Sequence, residues 1–228
     1  ALATGRRPAM LELLDAPTLR AVQAFRDNGL DASAGAVLLM QSDRGTRAAA
    51  DLAAFGAAVR ECGATDFTPA DDATESAMLL EIRRLVMPAL ERIGTLLIDD
   101  VCVPRSALAD LVAGVAAIGD EHDVLMTCSG HAGDGNMHPT VIFDGADPAA
   151  TTRAETAFDA VMRLGLRLGG TITGEHGVGH LKRRWLAEEI GPLGVRLHSG
   201  IKSVFDPNGI LNPGKVLDRP TRPVAARR

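Results

Sequence analysis

Three consecutive pieces of the chain decide its fold. They are Val124-Leu125-Met126-Thr127-Cys128, then Ser129-Gly130-His131-Ala132-Gly133-Asp134-Gly135-Asn136, then Met137-His138-Pro139-Thr140-Val141-Ile142-Phe143. The outer two are short apolar runs and the middle one is polar and glycine-rich, which predicts two strands joined by a turn. His131 and His138 are seven positions apart, a spacing that a helix would place on one face. Gly133, Asp134, Gly135 and Asn136 are poor helix formers, however, and each glycine costs about 1 kcal/mol in a helix interior. In one continuous strand the odd offset would send the two rings to opposite faces. A tight turn between them resolves the conflict and lets both imidazoles converge, because glycine permits the backbone geometry and Asp and Asn are natural turn residues.

Outward from this hairpin, helix and strand patterns alternate from about residue 35. Ala36–Met40 reads as a strand, and Leu52, Phe55, Val59 and Cys62 mark a helix ending at Gly63. A second helix is predicted over Thr74–Ile93, with Pro88 kinking or interrupting it. Leu96–Val103 reads as a strand whose apolar run is broken by Asp99-Asp100, and Ser106–His122 as a third helix. Asp147-Pro148 is an N-cap followed by proline at the first helical position, and Gly169-Gly170 closes that helix. A short strand over Thr171–Thr173 follows, then two helical segments divided near Gly191-Pro192, the second ended by Asp206-Pro207-Asn208-Gly209. The pattern implies an α+β fold: a ferredoxin-like sandwich with a mainly antiparallel sheet, helices on one face, and C-terminal helices in addition. A doubly wound parallel sheet would need a glycine-rich phosphate loop after its first strand, and none is found.

Composition narrows the function classes. Hydrophobic residues make up 46% of the 228 and charged residues 23%, ordinary for a globular protein and unlike a disordered one. A net charge of -5 argues against a nucleic-acid-binding surface. The one basic-rich stretch, Arg219–Arg228, contains Pro220 and Pro223 and reads as a flexible tail beyond a domain spanning residues 1–218. No run approaches the roughly 18 apolar residues of a membrane span, and Ala1–Met10 lacks the apolar core of a secretory signal. Cys62, Cys102 and Cys128 form no metal-type pair and lie in apolar segments, which predicts buried reduced thiols in a cytoplasmic protein.

A second chemical segment is Thr173-Gly174-Glu175-His176-Gly177-Val178-Gly179, where Glu and His are flanked by glycines around an exposed turn. His131, His138 and Glu175 together make a two-imidazole, one-carboxylate set suited to a divalent ion of the zinc or manganese type, with a position open for substrate. Spacing alone leaves a competing reading, turn histidines satisfied by backbone groups.

These segments resemble the C-terminal domain of the FAD-linked oxidases, the family of D-lactate, glycolate and D-2-hydroxyglutarate dehydrogenases. The similar stretches are Gly130–His138, Gly174–Gly179, Asp206–Asn212 with Pro213-Gly214-Lys215, and Val103-Pro104. Arg83-Arg84 with Pro88-Ala89-Leu90, and Ala9-Met10-Leu11-Glu12-Leu13, also fit, so the resemblance covers residues 8–217. It implies His131, His138 and Glu175 as metal ligands, His176 as catalytic base and Arg83 as partner of the substrate carboxylate. Arg83 could instead be a surface helix cation with Arg84 in the role, and Asn212 either approaches the flavin or belongs to a structural turn. The chemistry agrees: a divalent ion lowers the hydroxyl pKa, an imidazole takes the proton, and hydride leaves for a flavin. Leu80 stands where the family usually has tryptophan, and Leu97-Ile98-Asp99-Asp100 lacks the basic residue of members acting on diacids. A small or apolar 2-hydroxy monoacid is therefore the expected substrate.

The family's N-terminal FAD-binding domain is expected to lie outside this chain. The expected partners are that domain, an electron acceptor and the hydroxy acid, with no nucleic acid, and the fragment itself is expected not to turn over. The full-length enzyme is expected in the cytoplasm, with peripheral membrane attachment open to it. Competing readings are a stand-alone metal-dependent hydrolase and a non-catalytic module binding small acids.

Overall fold

A computed structural model describes residues 5–217; the basic tail expected over Arg219–Arg228 lies outside the described residues. An antiparallel sheet organises the chain. Its strands are β1 (Met10–Asp15), β2 (Ala36–Gln41), β3 (Thr95–Ile98), β4 (Val101–Cys102), β5 (Leu125–His131) and β6 (Asn136–Phe143). They lie in the order β2-β1-β5-β6-β3, with β4 paired to the other end of β6. The helices are α1 (Ala16–Phe25), α2 (Ala48–Glu61), α3 (Ala73–Glu91), α4 (Leu108–His122), α5 (Pro148–Arg167) and α6 (Arg183–Phe205). The α+β class and the antiparallel sheet expected from sequence are both present.

The helices, expected on one face, are divided between two. Register puts Met126 opposite Val141 and Gly130 opposite Met137, while Leu125 faces Ile142. Met126, Cys128, Met137 and Val141 belong to one core with Leu111, Val115 and Phe158 from α4 and α5. Ile142 and Leu14 belong to a second core with Val22 of α1 and Ile82, Val86 and Leu90 of α3. Strand side chains alternate faces, so these two cores lie on opposite sides of the sheet. Each deeply buried Leu, Val or Phe contributes about 1.5–3 kcal/mol by leaving water. The reading from periodicity could identify apolar helix stripes but not the face each one covers.

The first strand and helix were not expected. β1 passes directly into α1, with no intervening loop to punctuate the pattern. Asp15 accepts the Thr18 N–H and Pro17 stands in the first turn, a start signal of the ordinary kind. The break expected at Asp99-Asp100 does divide the strand in two. Its cause is on the partner: Pro139 accepts from the Asp99 N–H at 2.8 Å but has no N–H to return, so the ladder lapses there.

Pro88 is accommodated within α3, which runs on to Glu91. The short strand expected over Thr171–Thr173 is a single bridge, Thr171 to Cys102. Gly191, at φ 67°, breaks α6 as expected before Pro192. The first part of α6 buries Trp185 and Leu186 in the core beside Phe158, while Leu197, Ile201, Val204 and Phe205 of the second part stand exposed. Among the described residues no helix is long and apolar enough to cross a membrane.

Candidate functional site

The β5–β6 turn brings both hairpin histidines to one face of the sheet. His131 stands opposite Asn136 and His138 opposite Ser129, so the two occupy neighbouring rungs of one face. Their ring centroids are 5.1 Å apart with planes at 86°. Gly135 makes the turn possible: its φ is 93°, and a Cβ there would stand 2.1 Å from the Val103 carbonyl oxygen. Asp134 accepts the Asn136 N–H at 3.0 Å and closes the turn.

The loop between α5 and α6 carries Glu175 and His176 over this pair. Glu175 Oε1 lies 3.2 Å from His131 Nε2 and 3.4 Å from His138 Nε2. The His176 ring stacks on His138, centroids 4.9 Å apart and planes at 8°. Donors about 2.1 Å from a tetrahedral ion stand about 3.4 Å from one another. The donor atoms of His131, His138 and Glu175 all lie within 4.8 Å, so small adjustments would let them hold a divalent cation. Asp100, His138 and His176 form a second such group, but Asp100 is already committed to hydrogen bonds with the loop.

Glu12 of β1 was not anticipated as part of the site. It stands opposite His131 in the sheet, is buried, and its two carboxylate oxygens lie 2.8 and 3.0 Å from His131 Nδ1. Arg83 of α3 places Nε 3.0 Å from Glu12 Oε2, with its side chain 48% exposed. Arg83 is thus tied to the cluster through Glu12 instead of being a free surface cation. Burial works against a charged His131, but the Glu12 hydrogen bond and charge, with Glu175, more than offset it and raise the pKa. His138 is moved the other way, first by burial and then by the neighbouring His176 and His131. Two adjacent imidazoles are therefore driven apart in basicity, and His138 favours the neutral form that a cation requires.

Below the loop, Asp99, Asp100 and Lys182 are all buried. Lys182 Nζ stands 3.3 Å from Asp99 Oδ1 and 3.5 Å from Asp100 Oδ2, so one cation serves two carboxylates. Burial pushes the Asp99 carboxyl up to about 7, with Lys182 opposing. Burial also acts on Asp100, but hydrogen bonds from Thr173, His176 and Glu175, with Lys182, hold it well below the usual carboxylate range. The only sign of this arrangement in the sequence was an acidic pair inside an apolar strand.

Asn212 lies apart from this cluster, exposed and at φ 45° in the return after α6. That return is tied to the loop before α6 by Val216 N–H to Gly179 O, at 2.7 Å. His122 ends α4, and His198 bonds the Gly194 carbonyl one turn back on α6. His180 is exposed in the turn preceding α6. The cysteines are free, but only Cys128 is buried; Cys62 is exposed at the end of α2 and Cys102 is intermediate.

Comparison with known proteins places this geometry in context. Residues 1–216 match the family described as FAD linked oxidases, C-terminal domain. Glycolate oxidase subunit GlcD of Bacillus subtilis (strain 168) is 37% identical over 217 residues, covering 94% of this chain and 46% of that protein. A D-lactate dehydrogenase of Anaerostipes hadrus is 37% identical over 161 residues, covering 69% of this chain and 34% of that protein. The chain thus spans less than half the length of these relatives. Among solved structures, p-cresol methylhydroxylase with substrate bound superposes with a TM-score of 0.65 at 13% identity, over 92% of this chain and 47% of that one. At that identity the likeness is one of fold.

Proposed function

Because this chain belongs to the family of FAD-linked oxidase C-terminal domains, we propose that it is the acid- and cation-binding part of a flavin-dependent 2-hydroxyacid dehydrogenase. The flavin is held mainly by the remainder of the parent protein, and the relatives named as a glycolate oxidase subunit and a D-lactate dehydrogenase support a small 2-hydroxy monoacid as substrate. The observation that carries the reading is the convergence of His131, His138 and Glu175 on one point, from a hairpin and a loop distant in sequence. The apolar stripe left exposed on α6 supports a chain that works against further protein.

His131, His138 and Glu175 would hold a divalent cation of the zinc or manganese type. Such an ion, when bound, lowers the pKa of a coordinated hydroxyl and neutralises carboxylate charge. The donor set suits it: two imidazoles and one carboxylate, with His131 oriented from behind by the buried Glu12 carboxylate. Arg83, anchored through Nε to Glu12, presents the rest of its guanidinium fork to the substrate carboxylate. The exposed ring of His176, fixed by stacking on His138, takes the hydroxyl proton. A flavin held by the remainder of the parent protein would supply the acceptor for the α-hydrogen and its electron pair.

The test is turnover of the full-length parent on a panel of 2-hydroxy acids with an artificial electron acceptor, with and without chelator. The reading expects activity on small monoacids that chelation removes and added zinc or manganese restores. Activity on none of them, or activity indifferent to thorough chelation, would overturn it.

A further inference from the structure

Asp100 sits at the junction of β3 and β4 with a fully buried side chain. Its carboxylate accepts from Thr173 Oγ1 at 2.7 Å, Gly174 N–H at 3.0 Å, Glu175 N–H at 3.1 Å and His176 N–H at 2.8 Å. Four successive residues thus aim their donors at one anion, a backbone nest occupied by a side chain in place of a ligand. The loop is also closed on itself, since Thr173 Oγ1 accepts the Gly177 N–H at 2.8 Å. From above, Gly174 rests against Asn136, where an added Cβ would stand 2.2 Å from Oδ1. Lys182 holds the template in place, donating to the Asp100 carbonyl at 2.9 Å.

We infer that Asp100 is the positioning residue of the site: its carboxylate sets the height and orientation of the Glu175–His176 peptide, so that both side chains meet the hairpin histidines. The inference rests on the reading of Glu175 as ligand and His176 as base given above. Glu175 and His176 are both exposed, so burial contributes little to holding them against the hairpin histidines. Exposed side chains on a glycine-flanked loop would otherwise lose rotational freedom each time they assembled around a cation. Because three of the four bonds are to backbone N–H groups, the template is specific to the loop's path and, among its side chains, draws on the Thr173 hydroxyl.

The test uses the full chain with Asp100→Asn and Thr173→Val, and Thr173→Ser as the conservative control. An amide at 100 keeps one acceptor but turns an N–H pair toward donors, while valine at 173 removes the hydroxyl with its bonds to Asp100 and Gly177 and leaves the Asp100 carboxylate in place. Amide hydrogen exchange at residues 174–176 is expected to speed up by about tenfold or more in both variants, with β5 and β6 amides unchanged. Zinc affinity, read by calorimetry with a competing chelator, is expected to fall by about 10–100-fold and to be retained in Thr173→Ser. Unchanged exchange at 174–176 in both variants overturns the inference. So does a rise spread equally over the sheet, which would make Asp100 general scaffold, or unaltered zinc affinity beside locally faster exchange. If the unmodified chain binds no zinc, the metal reading fails by itself, and the exchange measurements still decide whether Asp100 sets the loop.

Discussion

Glu12→Gln removes one charge from a buried position while preserving shape, and its consequences can be worked from the contacts. In the native chain Glu12 bonds His131 Nδ1 through both oxygens, at 2.8 and 3.0 Å, and pairs with Arg83 at 3.0 Å. Hydrogen bonds to charged groups are worth about 1.5–3 kcal/mol each. Loss of a carboxylate behind a ligating histidine typically weakens metal binding by about 10–100-fold, or roughly 1.4–2.8 kcal/mol, a matching scale. Two readouts follow. Zinc affinity falls by that factor in a chelator-competition titration. The His131 pKa, followed by NMR, also falls, because Glu12 is the main influence raising it against burial. The sign extends to stability: a raised histidine pKa stabilises the fold fully below its ordinary value of 6.5, and that contribution is lost as pH rises through the folded value. In Glu12→Gln this component of the pH dependence shrinks, with Glu175 left to raise the His131 pKa. A variant with native zinc affinity and an unmoved His131 would refute the assignment of Glu12 as the group that orients and charges this ligand.

Asp99→Asn should alter pH dependence differently. Between the ordinary value of 3.8 and about 7 the folded chain keeps a proton on Asp99 that the unfolded chain has released, so stability declines as pH rises through that window. Urea denaturation from pH 4 to 8 should show a flatter profile in the variant, and an identical slope would contradict the burial argument. Gly174→Ala, whose Cβ would lie 2.2 Å from Asn136 Oδ1, should cost about 1–3 kcal/mol in thermal or denaturant unfolding. Native stability there would mean the loop has slack. Alkylation with iodoacetamide should modify exposed Cys62 first and leave Cys128 unreacted until unfolding, because Cys128 is fully buried and burial raises its thiol pKa. Mass spectrometry of timed samples checks the order.

Much of this site could be read from residues alone because its chemistry is concentrated in turns. The glycines and Asp134 between His131 and His138 force a reversal, and the odd spacing then places both rings on one side. Glu175 could be joined to them only by resemblance, since a separation of 37 positions from His138 carries no distance information. Glu12 and Asp100 were illegible for a related reason. Each is an acidic residue within an apolar strand, and its meaning comes from what the sheet register or a remote loop places opposite it. Asp99-Asp100 looked like an interruption of a strand, whereas the cause lies in Pro139 across the ladder and the compensation in Lys182, 82 positions from Asp100. Helix placement failed on the same ground: an amphipathic stripe announces that a face is buried but not which side of the sheet buries it. Short-range punctuation was more reliable, as Asp147-Pro148 at the start of α5 and Gly191-Pro192 within α6 both illustrate.

Equilibrium zinc binding by the unmodified chain, compared with His131→Ala and Glu175→Ala, tests the central claim most directly. With three donors converging within 4.8 Å, the account predicts one zinc per chain in the native protein and its loss in each variant, with the fold retained by circular dichroism. Equal zinc content in all three proteins would contradict it, leaving His131, His138 and Glu175 as a hydrogen-bonded cluster and not a cation site.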